Sequence, residues 1–268
     1  MVGILDEAPQ MRNFLPFMEP VWRALAPWAY TLIRVSTGAI FIPHAFARPL
    51  GPQAWLGVVE GVAGLLIVLG VAPRIMAALL ALDMLWFIAL TFGKGWLWTR
   101  GGVQYHVFIL GLLIAVLIGA GGVHSLKNRI IQSIPSSPAL GYALARVWMA
   151  LLILPSGWEK VFNDGAARIA AGNVLKTGFY PPMFWAWVVA ILELVGMLML
   201  AVGLLTRPIA FMFFVEMAVI TVMVQMPNGY FWTSRGCEFA LLLTLVSFAF
   251  VMAGGGKYSL DRRIGREF

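Results

Sequence analysis

The sequence predicts an all-α integral membrane protein with eight transmembrane helices arranged as two parallel four-helix-bundle repeats. Three observations support this prediction. Of the 268 residues, 61% are hydrophobic and only 12% are charged, whereas globular chains contain about 45–50% apolar and 25% charged residues. Eight segments approach the roughly 20 apolar residues that a helix needs to cross a bilayer core. Polar residues recur at nearly constant spacing in the two halves of the chain.

The predicted spans follow one another with short connections. The tail 1–26 scatters charged residues among prolines and aromatic residues, without the basic, apolar and small-residue succession of a signal peptide. Several spans are short for the bilayer core, which favours tilted helices or a thin bundle. The expected spans are 27–47, 54–73, 75–92, 104–122, 140–160, 183–204, 208–226 and 237–253.

Two long segments of the chain resemble each other. The stretch RVSTGAIFIPHAFAR from Arg34 aligns without a gap on RVWMALLILPSGWEK from Arg146, and Glu60 matches Glu193. After a slip of one residue, WTRGGVQY matches WTSRGCEF. Rare polar residues that recur in register indicate a tandem duplication of a four-helix unit. Because four spans return the chain to its starting side, the copies are expected to be parallel repeats about an axis near the membrane normal.

The duplication divides the chain into four predicted regions. The tail 1–26 precedes a first repeat at 27–131, and a Ser/Pro-rich linker at 132–139 leads into the second repeat, 140–268, which ends in a basic tail. The side that holds the termini carries 12 of the 19 Lys and Arg residues. By the positive-inside rule, both termini are expected in the cytoplasm, in the inner or plasma membrane of a prokaryote.

Composition also excludes several functions. The net charge is +7, but the basic residues lie in short loops where they orient the spans, so no nucleic-acid role is expected. The single cysteine, Cys237, excludes an intramolecular disulfide and a cysteine-based metal cage. The predicted partners are therefore membrane lipid and other proteins, and no metal site is expected.

Three motifs of the second repeat resemble the DoxX-like family of four-helix membrane proteins. They are RVWMALLILPSGWEKVF, LELVGMLMLAVGLLTRPIA and GGGKYSLDR. The likeness covers about 27–128 and 140–263. The first repeat departs from the family pattern, with His44-Ala45 in place of Ser-Gly, Arg48 in place of lysine and SLKN in place of SLDR. The second repeat is therefore the closer copy.

The resemblance implies a role near the quinone pool. DoxX-like relatives include membrane subunits of quinone-linked sulfur oxidoreductases and quinol oxidases, and partners in thiol-stress complexes. By this resemblance, the protein is expected to be an integral membrane subunit or anchor of a quinone-linked oxidoreductase complex, with protein partners that bring the redox centres. The chain shows no flavin, haem or nucleotide motif, so catalysis in isolation is not expected. A structural or assembly protein without cofactor and a small-molecule or proton-coupled transporter are the alternatives.

Charged residues within the apolar spans must face the bundle interior and find partners, because a charge near a helix centre costs at least about 2.5 kcal/mol. Arg34 and Asp83 lie at similar depth, roughly 10 and 13 Å from the inner side at 1.5 Å per residue. Arg146 and Glu216 repeat this relation. Two structural ion pairs are therefore predicted, Arg34 with Asp83 and Arg146 with Glu216, each linking the first and third helices of a repeat.

Glu60 and Glu193 are the candidate ligand-binding residues of the outer half of each bundle. Each lies about 20 Å from the inner end of its helix. The outer half of each bundle is expected to enclose a cavity for quinone or another small apolar ligand, where a carboxyl group beside His or Lys could hydrogen-bond a quinone carbonyl and transfer its proton. The alternative is a bond from the carboxylate to a hydroxyl or backbone group across helices. The expected neighbours are His44, Arg48, Trp98, Arg100, Gln104, Tyr105 and His106 for Glu60, and Ser156, Trp158, Lys160, Trp232, Arg235 and Glu238 for Glu193.

Overall fold

The computed structural model describes residues 12–13, 15–47, 54–122 and 135–267. The regular secondary structure of these parts is helical, apart from a two-residue parallel pairing of β1 (Arg12–Asn13) with β2 (Arg266–Glu267). The predicted all-helical architecture is therefore confirmed. The pairing joins the two ends of the described chain.

The helices occur where the hydropathy pattern predicts them. Shorter helical turns extend or connect several of them, including π-helical turns at Leu192–Gly196 and Ile220–Gln225. The helices are α1 (Glu19–Leu25), α2 (Ala29–Ala39), α3 (His44–Ala47), α4 (Ala54–Leu69), α5 (Pro73–Thr91), α6 (Gln104–Gly119), α7 (Pro138–Phe162), α8 (Gly165–Ile169), α9 (Pro182–Ile191), α10 (Met197–Val202), α11 (Thr206–Val219), α12 (Glu238–Ala253) and α13 (Leu260–Ile264).

Five helical stretches of the described chain are long and apolar enough to cross a membrane, as an integral membrane protein requires. Three further apolar helices are shorter. Each of the eight stretches overlaps one predicted span. The five long stretches are Pro16–Phe46, Pro73–Lys94, Pro138–Phe162, Pro182–Val202 and Thr206–Asn228, and the three shorter ones are Trp55–Leu69, Gln104–Gly119 and Glu238–Ala253.

Four helices, α2, α6, α7 and α12, form the centre of the molecule. Helix α6 packs against α5 and α7, while α12 packs against α11 and α2. The first half of the chain, up to residue 122, and the second half, from residue 135, therefore meet through α6 with α7 and through α2 with α12. One apolar core cluster runs through both halves. The helices α4, α5, α9, α10 and α11 flank this centre and expose large apolar side chains, which suits contact with lipid.

Small residues permit the closest helix contacts. A Cβ atom on Gly38 of α2 would lie 2.5 Å from the carbonyl oxygen of Gly64 on α4. A Cβ atom on Gly141 of α7 would lie 2.6 Å from the carbonyl oxygen of Ala115 on α6. Glycine at these positions allows the backbones to approach as they do in membrane bundles, where dispersion replaces the hydrophobic effect between helices.

Two buried tyrosines close the ends of α6 and α12. The Tyr30 hydroxyl donates to the Ala120 carbonyl at 2.9 Å, and the Tyr142 hydroxyl donates to the Gly254 carbonyl at 2.6 Å. The last carbonyls of a helix have no partner within it. Each tyrosine therefore satisfies a group that would otherwise be buried without a hydrogen bond.

Arg34 is fully buried and binds the end of a neighbouring helix. Its Nη1 donates to the Val68 carbonyl at 2.8 Å and also to the Ile67 carbonyl, in the last turn of α4. The free carbonyls and the negative end of the helix dipole attract a cation there. These contacts explain why the interior accepts Arg34, and its predicted pairing with Asp83 stays a prediction.

The predicted ion pair between Arg146 and Glu216 is wrong. Arg146 donates from Nη2 to the Tyr258 carbonyl at 2.8 Å and from Nη1 to the Gly255 carbonyl, in the loop that follows α12. Glu216 lies instead beside Glu193, away from Arg146. Loop carbonyls thus occupy both terminal nitrogens of the guanidinium, and its acidic electrostatic neighbour is Asp261 instead of Glu216.

Candidate functional site

The first polar site is centred on Lys160, near the end of α7. Its ammonium donates to the Glu193 carboxylate, which lies on the π-helical turn between α9 and α10. The side chains are 19% and 5% exposed, respectively. This ion pair is therefore largely removed from water. A buried ion pair is favourable only when its geometry is good and further hydrogen bonds satisfy the charged groups.

Close packing of α7 places the two residues together. A Cβ atom on Gly157 would lie 2.6 Å from the Glu193 carbonyl carbon, so only glycine allows this approach. Gly157 precedes Lys160 by three residues, which puts both on one face of α7. The widened π-helical turn around Glu193 is of the kind that often occurs at functional sites.

Glu216 of α11 adds a second carboxyl group to this site. Both of its oxygens are buried and make no well-formed hydrogen bond within the described chain, while Glu193 and Lys160 are its electrostatic neighbours. If both carboxyl groups are ionised, one ammonium leaves a negative charge uncompensated, which is costly in a buried site. The site therefore has a place for one proton or for one donor group of a ligand.

A cavity of about 660 Å³ adjoins these groups and is named the lysine pocket. Gln104 and Gln225 also line it, and the side-chain oxygen of each is buried without a partner in the described chain. The Gln104 amide nitrogen is occupied, because it lies 3.2 Å from the Ser156 hydroxyl and 3.4 Å from the Leu152 carbonyl. The pocket thus combines one ammonium with several unused acceptor oxygens.

The lysine pocket extends to the outer surface of the helices. Phe211, Met212 and Val215 of α11 line it and are also about half exposed. Because α11 belongs to a stretch that can span the membrane, these exposed apolar residues face the region that lipid occupies. The pocket is therefore accessible to an apolar molecule from the side of the bilayer.

A second polar site joins the two halves of the chain and is named the histidine cluster. His44 Nδ1 lies 2.8 Å from Glu60 Oε2, and His44 Nε2 lies 2.8 Å from Glu238 Oε1. The Tyr105 hydroxyl donates to Glu238 Oε1 at 2.6 Å, and the Trp232 backbone N–H donates to Glu238 Oε2 at 3.0 Å. A histidine that bonds two carboxyl groups needs either a charged ring or one protonated carboxyl group.

Several residues that the sequence assigns to the Glu193 site lie elsewhere in the structure. Glu238 and Trp232 lie in the histidine cluster, so their predicted place beside Glu193 is wrong. The reason is that α12 packs against α2 of the other half. Trp158 is 57% exposed and packs on Phe162, outside the residues that line the lysine pocket.

The neighbours expected for Glu60 are also divided between the two sites. Trp98 lines the lysine pocket, and its ring meets the Phe239 ring edge-on at 5.5 Å. His106 is buried among aromatic rings, stacked on Phe87 and edge-on to Trp232. Arg48 lies outside the described residues. Among the described residues, no group of three or more His, Cys, Asp or Glu side chains is placed to hold a metal ion.

Gln225 is a pocket residue that the sequence analysis missed. An amide inside an otherwise apolar helix was the signal that could have found it. Gln104, which aligns with Glu238 in the repeat, was assigned to the Glu60 site. Its side chain contacts α7 of the other half instead. Cys237 is buried at the start of α12, as an inert cysteine commonly is.

Comparisons with known proteins assign the chain to a family. The family model described as DoxX matches residues 141–226. A protein of Haemophilus influenzae named only as an uncharacterized protein is 37% identical over 124 residues, which are 45% of this chain and 88% of the relative. The chain belongs to the DoxX family. No solved structure matches this DoxX-family protein.

The DoxX match falls on the half of the chain that contains the lysine pocket residues Lys160, Glu193 and Glu216. The aligned segment is 45% of this chain but 88% of the relative, so the relative is about half as long. The length of the relative is therefore close to that of one half of the present DoxX-family protein.

Proposed function

We propose that this DoxX-family protein is an integral membrane subunit or anchor of a quinone-linked oxidoreductase complex and that the lysine pocket holds the quinone ring. The observation that carries the proposal is the pocket itself, a cavity of about 660 Å³. It joins an apolar face at the lipid side to an ion pair and to buried acceptor oxygens without partners. Binding sites for small molecules commonly combine an apolar lining with a few such polar groups.

The polar groups suit both redox states of a quinone. Lys160 is a donor for a carbonyl oxygen, whereas Glu216 and Gln225 offer acceptors for a hydroxyl group. A bound quinone supplies two-electron chemistry coupled to two protons, and the partner subunits would supply or remove the electrons. Within this chain, the ammonium of Lys160 pairs with Glu193 and acts on Glu216 only electrostatically, so one of the two carboxyl groups is placed to hold the proton that a change of redox state takes up or releases.

The proposal includes eight membrane spans in two parallel repeats, with boundaries at 27–131 and 140–268. Matched contacts in the two halves support it. The bond of Tyr30 to the end of α6 corresponds to the bond of Tyr142 to the end of α12. A relative of about half the length also supports a duplicated unit.

The polar contacts between the halves support the same relation. Gln104 bonds Ser156, and Glu238 bonds His44. In the repeat alignment Gln104 corresponds to Glu238 and Ser156 corresponds to His44. Each contact thus joins the fourth helix of one proposed repeat to the first helix of the other. Location in a prokaryotic inner membrane with cytoplasmic termini belongs to the same proposal. The distribution of Lys and Arg supports the position of the termini, and the relative from Haemophilus influenzae supports a prokaryotic membrane.

The proposal is tested by quinone retention in protein purified from native membranes. The wild-type protein is expected to copurify with quinone, and Glu193→Gln is expected to lose at least about tenfold of it, because Lys160 would lose its ionic partner in a low-dielectric site. Glu60→Gln is the matched control, since Glu60 belongs to the histidine cluster. Chromatographic analysis of extracted lipids measures the quinone, and size-exclusion profiles check that both variants fold.

Two outcomes would contradict the proposal. Full retention of quinone by Glu193→Gln would remove the lysine pocket as the site. Wild-type protein that lacks quinone but copurifies with an enzyme would favour an assembly protein without cofactor.

A further inference from the structure

A second groove lies toward the opposite end of α7 from the lysine pocket. It has a volume of about 670 Å³ and runs between the first part of α7, the end of α10 and the segment from Lys257 into α13. Basic residues line one part of it, and the rest of the wall is mostly apolar. The basic residues are Arg146, Lys257 and Arg263, and the apolar ones include Leu140, Leu144 and Val202.

The positive charge of this groove is only partly offset within the described chain. Lys257 and Arg263 are exposed and form no ion pair there. Arg146 is 1% exposed, bonds only carbonyl groups, and has a buried Nε without a hydrogen-bond partner in the described chain. Asp261 is the acidic side chain of this segment. Its carboxylate accepts hydrogen bonds from the backbone N–H groups of Leu205 and Thr206, at 2.8 and 3.0 Å, and is an electrostatic neighbour of Arg146. It therefore offsets one of the three positive charges, and the groove keeps a net positive charge.

The apolar wall extends this charged region along the membrane-facing surface. Leu140 and Val202 are 44% and 55% exposed, and both belong to stretches that can span the membrane. A groove with a net positive end and an exposed hydrocarbon wall complements an amphiphile that has an anionic head and an apolar tail. Basic pockets between membrane helices are suited to such lipid headgroups.

We propose that this groove binds an anionic phospholipid. The phosphate lies against Lys257 and Arg263 above the buried charge of Arg146, and an acyl chain lies against Leu140 and Val202. A free phosphate ion would use the basic end alone and would leave the apolar wall without a role. The groove lies apart from the lysine pocket, so this inference does not depend on the binding of quinone.

The experiment measures the melting temperature of the detergent-purified full-length protein during titration with three probes. These are an anionic phosphatidylglycerol, a phosphatidylcholine with the same acyl chains, and inorganic phosphate. We expect saturable stabilisation by phosphatidylglycerol only. Because each Lys or Arg near an anionic membrane surface contributes to binding, the double variant K257A/R263A is expected to bind it about 30-fold more weakly.

The matched control is K94A/K176A, which removes two exposed charges that do not line the groove. This control is expected to bind phosphatidylglycerol as the wild type does. Equal stabilisation by phosphatidylcholine, or full binding by K257A/R263A, would overturn the proposal. Saturable stabilisation by inorganic phosphate alone would also overturn it, because the site would then recognise a free ion and not a lipid.

Discussion

His44 lies between two carboxyl groups that belong to different halves of the chain. Glu60 is 2% exposed and Glu238 is fully buried. A buried network of this kind is favourable only when every member has a partner. Here Tyr105 and the backbone of Trp232 supply the remaining donors to Glu238. The histidine cluster is therefore best understood as a structural connection between α3, α4 and α12.

Replacement of His44 tests this role. We expect His44→Leu to lower the free energy of unfolding by about 3–5 kcal/mol, because it leaves Glu60 and Glu238 buried without their common partner. Ser156→Ala, at the corresponding position of the second half, should lose about 1 kcal/mol, the value of one neutral hydrogen bond. Unfolding in mixed micelles measures both variants. Equal losses would show that the charged network contributes no more than a single neutral contact.

At the residue scale, the sequence predicted a contact correctly where two residues lie at the same depth in adjacent helices. It failed where a distant loop supplies the contact. Lys160 and Glu193 were assigned to one site from their depth in adjacent helices, and the structure places them in contact. Arg146 was assigned a carboxylate because a buried charge needs a partner. Backbone carbonyls in the loop after α12 bind its terminal nitrogens instead. Hydropathy and spacing carry no information about which helix ends approach an arginine.

At the scale of the helices, the contact of α7 with the π-helical turn at Leu192–Gly196 defines the lysine pocket. Gly157 brings the α7 backbone directly against Glu193. A wider separation of these helices would lengthen the contact of Lys160 with its carboxylate and change the shape of the cavity. The contact thus determines both the packing of α7 and the shape of the cavity.

Gly157→Ala tests the importance of this contact. The added methyl group meets backbone atoms that cannot move aside, so we expect a loss of about 1–3 kcal/mol in stability together with reduced quinone retention. Gly93→Ala is the control, because a Cβ atom at Gly93 meets nothing within 4 Å. Melting temperature and extracted quinone are measured for both variants. Wild-type behaviour of Gly157→Ala would show that the helices separate without consequence.

The positions of the helices could be predicted from sequence, but their neighbours could not. Each apolar stretch reports its own length, so the predicted spans overlap the observed helices. The packing of α6 on α7 and of α12 on α2 depends on surfaces that are far apart in the chain. Assigning Gln104 and Glu238 to sites within their own repeats was the consequence.

At the scale of the whole molecule, the two halves share one core. The central helices α2, α6, α7 and α12 bury apolar side chains from both halves. Hydrogen bonds from Gln104 to Ser156 and between His44 and Glu238 cross from one half to the other. The halves are therefore expected to depend on each other for stability.

Cleavage between the halves tests this dependence. We expect a protease site inserted into 132–139 to yield, after cleavage, two fragments that remain associated during size-exclusion chromatography in mild detergent. The shared core and the crossing hydrogen bonds hold them together without the peptide connection. The uncleaved insertion variant is the control. Separate elution of the two fragments would show that each half buries its own core.

Each fourth helix contacts the first helix of the opposite half, and this arrangement bears on the origin of the proposed duplication. An ancestral chain of half this length would have had to pair with an identical copy, since the polar start of its last helix finds its counterpart only on a second molecule. Under the proposed duplication, fusion of two gene copies would have allowed the two halves to diverge in sequence. One junction could acquire an imidazole and a carboxylate, while the other kept a hydroxyl and an amide beside the pocket.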